Sequence, residues 1–404
     1  MTGWRDTRPS AQDAEARFKS PPDPTILGRL HDAHCHPGDD PHFETESLAR
    51  LDTAAFCVMS SSLSNQRDTK VVHRSKPARV IPCFGLHPWF SHPISFAPRD
   101  ALPSKEEHYA GLFPATTTTD DDDDDGQRRP HPSLATVLES LPEPVSIDSF
   151  LETLERDLVE YPTSFVGEIG LDQAFKLPNP ALRRPSRPGS PPRAKHSDLS
   201  TPISHQLRVV EAQFRLAIRM NRNVSQHCVR STSDTVQLLQ RLKREHDTFE
   251  SIYVCLHSFG ASAETAKQIQ RHHGNVFFSF STIVSGRSPK FYKLLRAIEP
   301  DRLLLESDFS DTSQIDLQIW EIFEAVCEAR EWTRDEAVET LSRNWARFTR
   351  PNEERRRAFD ENMAGRTPNK SNRQRKRERR QIDLYVSDDD DESERTGLGS
   401  VVKE

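Results

Sequence analysis

Residues 205–226 read HQLRVVEAQFRLAIRMNRNVSQ, and this stretch decides the fold class. Apolar residues recur in its first part at steps of three and four, which predicts an amphipathic helix over 205–220: Leu207, Val210, Phe214, Ala217 and Ile218. Its second part predicts a short strand that ends near Gln226. A helix that leads into a strand is one unit of an alternating α/β fold.

The same alternation continues in both directions along the chain. Helices are predicted over 147–160, 205–220, 234–246, 262–272, 289–298, 314–330 and 334–348. Eight strands are predicted to end near Ala33, Ser60, Gly85, Gly167, Gln226, Leu256, Phe280 and Leu305. Eight parallel strands with crossover helices predict an α/β fold of the TIM-like (β/α) barrel type. A doubly wound open sheet is the alternative, because counting strands does not distinguish the two.

Three polar segments are predicted to be disordered. The first, about 101–135, contains the run Asp120–Asp125, and the second, about 176–202, holds seven prolines and six Lys or Arg. The third is the tail 351–404, where a basic run is followed by an acidic one. Like charges within such a segment repel one another, and a segment with few apolar residues buries too little apolar surface to fold. The chain therefore divides into a flexible N-terminus 1–25, a barrel 26–350 with two low-complexity inserts, and a disordered charged tail.

Composition excludes several classes of protein. No apolar run of the 404 residues approaches the ~18 that a membrane span needs, and Met1–Ser20 has no apolar signal core. The six cysteines form no C-x-x-C pair, which suits a reducing compartment, so we expect a cytoplasmic or nuclear protein. The net charge is −7, and the chain without Asp120–Asp125 and the tail is near neutral. A broad basic surface for nucleic acid is not indicated.

Side chains that bind metals fall at one structural position. The first strand closes with His34-Cys-His36, and residues i and i+2 of an extended chain point to the same side. Four further strands end in residues of the same chemistry: Glu168, His227, His257 and Asp308. The carboxyl ends of barrel strands form the rim where such enzymes place their catalytic groups. Six ligands predict a centre for zinc, manganese or magnesium, and a carboxylate shared by two ions would use all six.

Each of these residues has an ordinary interpretation when taken alone. A single histidine at a strand end is more often structural than a ligand, and Asp308 could cap the segment that follows it. His87, in Gly85-Leu-His-Pro88, either contacts a substrate phosphate or is a loop histidine held by a backbone carbonyl. The prediction of a metal site depends on the conjunction of all six.

Several strings resemble the motifs of TatD-type metal-dependent deoxyribonucleases, in family order and over about 26–350. They are Asp32-Ala-His-Cys-His36, Gly85-Leu-His-Pro88, Gly167-Glu-Ile-Gly-Leu-Asp172, Leu256-His-Ser-Phe-Gly260, Leu304-Leu-Glu-Ser-Asp308 and Ser342-Arg-Asn-Trp-Ala-Arg-Phe348. The resemblance implies an amidohydrolase-like barrel that cleaves phosphodiester bonds in DNA. The inserts and tails indicate a fungal or other eukaryotic branch of that family.

The resemblance also implies roles for particular residues. One ion would be held by His34, His36, Glu168 and Asp308, and a second by Glu168, His227 and His257. Glu168 and Asp308 are the expected catalytic residues, with Asp308 both a ligand and the acceptor of a proton from water. The family places an arginine two residues after the fifth-strand histidine, whereas here Arg230 follows His227 by three. A role for Arg230 in holding substrate phosphate is therefore open.

Two other functions remain as alternatives. The barrel could be the scaffold of a non-catalytic or moonlighting interaction protein, with partners bound by the charged tail, or the same metals could serve a small-molecule amidohydrolase. A carbamylated-lysine enzyme is disfavoured, because Val166-Gly-Glu-Ile supplies Glu where it needs Lys. The basic run Arg373–Arg380 is a candidate nuclear localisation signal or nucleic-acid patch. The insert near 176–195 is expected to be either a positive flap on the metal-bearing rim or a passive insertion, and a monomer is plausible.

Overall fold

The computed structural model describes residues 21–40, 43–44, 46–114, 131–184, 193–288, 290–350 and 357. The chain divides into two units, Met1–Arg355 and Arg356–Glu404. All the described residues except 357 belong to the first unit. The predicted flexible N-terminus lies mostly outside the described residues, and the charged tail almost wholly so.

Eight parallel strands form the main sheet of the first unit. We number them β1 to β8 in chain order: His31–Cys35, Ala55–Met59, Val80–Phe84, Phe165–Asp172, Val224–Val229, Val254–Leu256, Val276–Phe280 and Leu303–Leu305. Each strand pairs with the next one along the chain. A doubly wound sheet reverses its strand order at a switch point, so this sequential order excludes that alternative. The prediction of a TIM-like barrel is confirmed.

The two outer strands of this order come together at their carboxyl ends. The backbone N–H of Asp308 donates to the carbonyl of His34 over 2.9 Å, and that of His36 donates to Phe309 over 2.8 Å. Ser307 adds two hydrogen bonds to the carboxylate of Asp32, from its backbone N–H at 3.0 Å and its hydroxyl at 2.6 Å. These bonds close the sheet at the rim that carries the predicted ligands.

Helices cover the outside of the barrel. In the described residues they are α1 to α11: Pro24–Leu27, Gln66–Ser75, Lys105–Leu112, Leu134–Val137, Ile147–Glu160, Ile203–Arg219, Thr232–Glu245, Ala263–His272, Phe291–Ala297, Thr312–Arg330 and Arg334–Phe348. All seven predicted helices are present within about two residues. None of the helices in these ranges combines the length and the apolar character that crossing a membrane requires.

The hydrophobic core has an inner and an outer layer. The inner layer fills the barrel and is rich in sulfur, with Cys57, Met59, Cys83 and Cys255 all inaccessible to solvent. The outer layer lies between strands and helices, where the predicted face of α6 is buried. All six cysteines are free thiols. The burial of most of them fits a role in packing.

The first insert is more ordered than its composition predicted. Helix α3 lies within the segment 101–135, and it begins with a capping box between Ser104 and Glu107. The side chains of Tyr109 and Phe113 are buried and pack with Leu134. The few apolar residues of this segment contact one another in the fold. The mean composition of the segment, which is polar, does not show this. Residues 115–130, including the aspartate run, lie outside the described residues.

The second insert was also expected to be unfolded, and this expectation is corrected for its two ends. Pro178–Arg184 pairs antiparallel with Arg193–His196, while residues 185–192 lie outside the described residues. Leu177 and Leu199, at the base of this pair, are buried in the same small cluster as Tyr109 of the first insert. The two inserts therefore share a core of their own, which we call the accessory cap.

Two strands run further than predicted. β4 continues past Gly167 to Asp172, and β5 continues past Gln226 to Val229. The extensions pair with each other, with Gly170 opposite His227. A Cβ at Gly170, whose φ is 152°, would lie 2.1 Å from the carbonyl oxygen of His227. Glycine is therefore required here, because no side chain fits between the two strands.

Candidate metal centre

The first group of candidate ligands lies where β1 and β8 meet. His34 and His36 point to the same side, and their Nε2 atoms are 3.0 Å apart. The same two atoms lie 3.6 and 3.4 Å from Oε2 of Glu168. They also lie 3.9 and 3.6 Å from Oδ1 of Asp308. Two imidazole nitrogens and two carboxylate oxygens thus surround one point.

The second group surrounds the other oxygen of the same glutamate. Oε1 of Glu168 lies 2.7 Å from Nε2 of His257 and 2.9 Å from Nδ1 of His227. The Nε2 atom of His87 completes the group at 3.3 Å. Glu168 therefore divides its two oxygens between two sets of imidazoles. All four side chains are nearly inaccessible to solvent.

The charges of the centre support one another. Burial raises the pKa of Glu168, but His87, His257 and His34 outweigh it and hold that pKa well below its usual value. Burial lowers the pKa of His36, yet Asp39, Glu168 and Asp308 raise it to about 9. In the same way Asp172 and Glu168 overcome burial and raise the pKa of His227 to about 10. The buried carboxylates of the centre therefore favour positive charge on the groups around them.

The imidazoles have polar partners at their outer nitrogens. Nδ1 of His34 bonds the hydroxyl of Ser225 at 2.8 Å. Nδ1 of His36 lies 3.4 Å from Asp39, and Nε2 of His227 lies 3.3 Å from Asp172. With these partners at one nitrogen, the opposite nitrogen of each ring faces Glu168. Such outer partners fix the tautomer and the ring orientation of metal-binding histidines.

Two buried carboxylates were missed by the sequence reasoning as parts of this centre. Asp32 accepts hydrogen bonds from Ser307 and from the backbone of His34, and burial raises its pKa to about 7. Glu306 accepts from the backbone N–H of Ser258 at 2.7 Å and lies 3.9 Å from Nδ1 of His257. Both precede a predicted ligand by two residues. The period of a strand was thus a signal that could have found them.

The two residues proposed for substrate binding have different positions. His87 joins the second imidazole group, and its Nδ1 accepts from the backbone N–H of Trp89 at 3.2 Å. Arg230 follows β5 with a left-handed backbone, φ 52°, and its side chain is exposed. In the part of the chain that the structure describes, the guanidinium of Arg230 forms no hydrogen bond or ion pair. The structure therefore places His87 in the centre and Arg230 outside it.

These residues also form the overlapping groups in which ligand atoms are near enough to share an ion. The groups are His34, Glu168 and His257; His34, His36 and Asp308; His87, Glu168 and His227; and His257, Glu306 and Asp308. All six predicted metal ligands are included. Mixed imidazole and carboxylate donors suit zinc or manganese, and less well magnesium.

Comparison with known proteins identifies the family of this chain. Residues 31–350 match the family model described as TatD related DNase. The chain is 31% identical to the Cut9-interacting protein scn1 of Schizosaccharomyces pombe, over 78% of this chain and 97% of the relative. It is 26% identical to an uncharacterized deoxyribonuclease of Saccharomyces cerevisiae, over 70% of this chain and 84% of the relative.

Solved structures show the same fold at lower identity. A TatD homolog from Escherichia coli has a TM-score of 0.51 at 21% identity, covering 80% of this chain and 98% of its own. A TatD family hydrolase from Entamoeba histolytica has a TM-score of 0.51 at 14% identity, with the same coverage of 80% and 98%. The family match spans most of the barrel and every predicted ligand, so this chain belongs to the TatD-related DNase family of hydrolases.

Proposed function

We propose that this TatD family hydrolase is a metal-dependent deoxyribonuclease that cleaves phosphodiester bonds of DNA. The observation that carries the proposal is the position of Glu168, whose Oε2 faces His36 at 3.4 Å and whose Oε1 faces His257 at 2.7 Å. One carboxylate between two imidazole groups can hold two ions side by side, and a pair of ions can stabilise both the attacking and the leaving oxygen in phosphodiester hydrolysis. The family match and the relative described as a deoxyribonuclease support DNA as the substrate.

The residues present fit divalent cations. The buried carboxylates raise the pKa of His36 to about 9 and that of His227 to about 10, so the centre favours positive charge that bound cations would supply. His34, His36, Asp308 and Oε2 of Glu168 would hold one ion. His227, His257 and Oε1 of Glu168 would hold the other. His87 is near enough to the second ion to assist in binding it or to contact a phosphate oxygen.

Two divalent ions bound here would lower the pKa of a water molecule and offset the charge on the phosphate oxygens. Asp308 would accept the proton of that water. Burial opposes ionisation of Asp308, but His257, His34 and His36 hold its pKa below the usual value, so the carboxylate is ready to accept. Its Oδ2 accepts a hydrogen bond from the Ser258 hydroxyl at 2.9 Å, which leaves Oδ1 facing His34 and His36.

The backbone around Asp308 also holds the carboxylate in place. Both Asp308 and Ser258 adopt left-handed φ values, 50° and 43°. Such conformations are unfavourable for residues with a side chain, and they persist only where the surroundings impose them. Ser258 meets this condition, because its backbone N–H donates to Glu306 over 2.7 Å. The hydrogen bonds of Ser258 therefore link Glu306 to the proposed proton acceptor.

Outside the centre, we propose that Arg230 binds a phosphate of the substrate away from the cleaved bond. The guanidinium is exposed on the metal-bearing rim and has no competing acceptor among the described residues. Arginine binds phosphate through two parallel hydrogen bonds, which suits this task. Its position one residue later than in the family pattern would place the contacted phosphate differently.

Cleavage of single-stranded DNA by the purified protein tests the proposal. Activity should require added manganese, zinc or magnesium, should disappear with a chelator, and should be lost in Asp308→Asn. Carboxylic esters and amides of small molecules are the parallel substrates. Hydrolysis of an amide without hydrolysis of DNA would instead indicate the small-molecule amidohydrolase.

A second proposal is that the protein also binds a protein partner. It is supported by the 31% identity to a relative described as Cut9-interacting, which extends over 97% of that relative. The two functions are compatible, because the ligands lie on one rim and leave most of the barrel surface free of them. Pull-down of the Cut9 counterpart by the wild type and by Asp308→Asn would test it, and binding by neither would contradict it. We further propose that the protein acts in the cytoplasm or nucleus.

A further inference from the structure

An aromatic pair lies beside the second imidazole group. The rings of Trp89 and Phe175 stack with centroids 4.7 Å apart and planes inclined by 15°. Trp89 lies in the segment that follows β3, and Phe175 lies in the turn that follows β4, so both emerge at the metal-bearing rim. Both side chains are only partly buried, which leaves part of each ring accessible.

One carboxylate holds both members of the pair. Oδ2 of Asp172 accepts from the indole Nε1 of Trp89 at 2.6 Å. Oδ1 of Asp172 accepts from the backbone N–H of Phe175 at 3.0 Å. Because the carboxylate fixes an indole on one side and a turn on the other, the stacked rings are held in a defined orientation before any substrate arrives.

The pair is near the place where a phosphodiester would be cleaved. The ring centroid of Trp89 is 4.7 Å from that of His87 and 6.4 Å from that of His227. Phe175 also packs against the buried cluster of the accessory cap. The exposed Lys176 follows directly in the chain. The flat aromatic surface suits the base of a nucleotide, and the adjacent cation and the proposed metal centre suit its phosphates.

We propose that Trp89 and Phe175 form a wall that binds a nucleobase next to the cleaved phosphodiester of single-stranded DNA. The inference rests on the proposed function and names a substrate contact within it. Aromatic side chains stack on any base, so the wall would favour unpaired strands without selecting a sequence. A base that remains in a duplex cannot present its face to the wall.

Cleavage of matched oligonucleotides by the full-length, metal-loaded protein tests this inference. One short single strand carries every base, and two others lack the base on either side of the cleaved bond. Phe175→Leu removes the aromatic ring but keeps an apolar side chain for the cap, and Phe175→Tyr is the matched control that keeps the ring. Metal content and melting temperature are measured for each variant, and binding is followed by quenching of tryptophan fluorescence.

We expect Phe175→Leu to lower kcat/KM only on a strand that carries the contacted base. Phe175→Leu should lower kcat/KM on the complete strand by about 5- to 150-fold, equivalent to the ~1–3 kcal/mol of one stacked base. It should change kcat/KM by less than about twofold on the strand that lacks the contacted base, and Phe175→Tyr should resemble the wild type. The wild type should itself prefer the complete strand by the same factor.

Two results would overturn the wall, and they are distinguishable from failure of the proposed function. If the wild type cleaves the complete and the abasic strands equally, no base is bound near the centre. If Phe175→Leu slows both strands equally, the ring acts through the structure of the cap. A wild type that neither binds nor cleaves any of the strands would overturn the deoxyribonuclease proposal and the wall with it.

Discussion

Asp172 accepts a hydrogen bond from Nε2 of His227 over 3.3 Å, and this bond decides which nitrogen of the histidine faces Glu168. The side chains of His227 and Trp89 hold the pKa of Asp172 down to about 2 against the effect of burial, so the carboxylate is ionised and can only accept. Nε2 must then carry the proton. Nδ1 lies 2.9 Å from Oε1 of Glu168, so it is the nitrogen that would exchange its proton for a bound cation.

Replacing Asp172 with Asn should therefore weaken the second ion site. An amide can donate to Nε2, which would favour the wrong tautomer and direct a proton at the metal position. Loss of an outer partner of this kind typically costs about 10- to 100-fold in metal affinity. Titration against a competing chelator measures the change, with one of two bound ions affected more than the other.

Trp89→Phe is the matched control for Asp172→Asn. It removes the other side-chain donor to the same oxygen of Asp172 but leaves the bond to His227 intact. Metal affinity should then stay within about threefold of the wild type, well inside the 10- to 100-fold range. Equal weakening in both variants would mean that the turn around Asp172, rather than its bond to His227, supports the site.

Metal content should reveal that Glu168 serves two ions. The wild type is expected to bind close to two divalent ions per chain. Glu168→Ala removes both oxygens and should lose both ions or nearly so, whereas His34→Ala should mainly weaken one. Glu264→Ala is the control, because this exposed helix residue pairs with Lys293 on the surface. Elemental analysis after gel filtration gives the counts, and a Glu168→Ala protein that keeps one ion fully bound would contradict the sharing.

A methyl group at Gly170 should disrupt the pairing that positions His227. The added Cβ would lie 2.1 Å from the carbonyl oxygen of His227, so β4 and β5 must separate. Overpacking of this kind costs about 1–3 kcal/mol or more, and we expect at least ~2 kcal/mol of unfolding free energy to be lost together with the second ion. Denaturant unfolding of the metal-loaded protein provides the measurement.

Gly111→Ala is the contrasting substitution. Gly111 lies in α3 of the accessory cap, and a Cβ there meets nothing within 4 Å. Alanine is favoured over glycine in a helix by up to about 1 kcal/mol, so this variant should be unchanged or more stable. If Gly170→Ala is equally harmless, the strands have room that the structure does not show.

The barrel and the clustering of the candidate ligands were predictable because both depend on local periodicity. A strand ending in His or a carboxylate can be read from a few residues, and the α/β alternation then places all such ends on one rim. Asp32 and Glu306 were missed although they lie two residues before His34 and Asp308 and therefore share their face. Their spacing was a signal that they share this face, and their burial is what shows that they belong to the centre.

The accessory cap could not be predicted in this way. Tyr109 and Leu199 belong to inserts that are distant in sequence, and each is polar on average. Their apolar residues are buried together, in segments that follow β3 and β4, and these two strands are neighbours in the sheet. The Trp89–Phe175 stack depends on the same meeting of two loops.

Acid should destabilise the protein partly through His92, in the segment that follows β3. Its ring is buried against Tyr109, and burial, with His205 and His108 nearby, lowers its pKa from 6.5 to about 3. Because the folded pKa is depressed, His92 adds stability above pH 6.5 relative to acid, and that stability is lost as the pH falls from about 6.5 towards 3. The loss is about 1.4 kcal/mol per pH unit within this window.

His92→Phe, which keeps the ring volume, should be less stable than the wild type at pH 7.5 but should lose less stability between pH 7.5 and 5. Comparing denaturant midpoints at the two pH values measures this, with the exposed His272→Gln as a control that should follow the wild type. If His92→Phe follows the same pH dependence as the wild type, the pKa of His92 is not lowered in the folded protein.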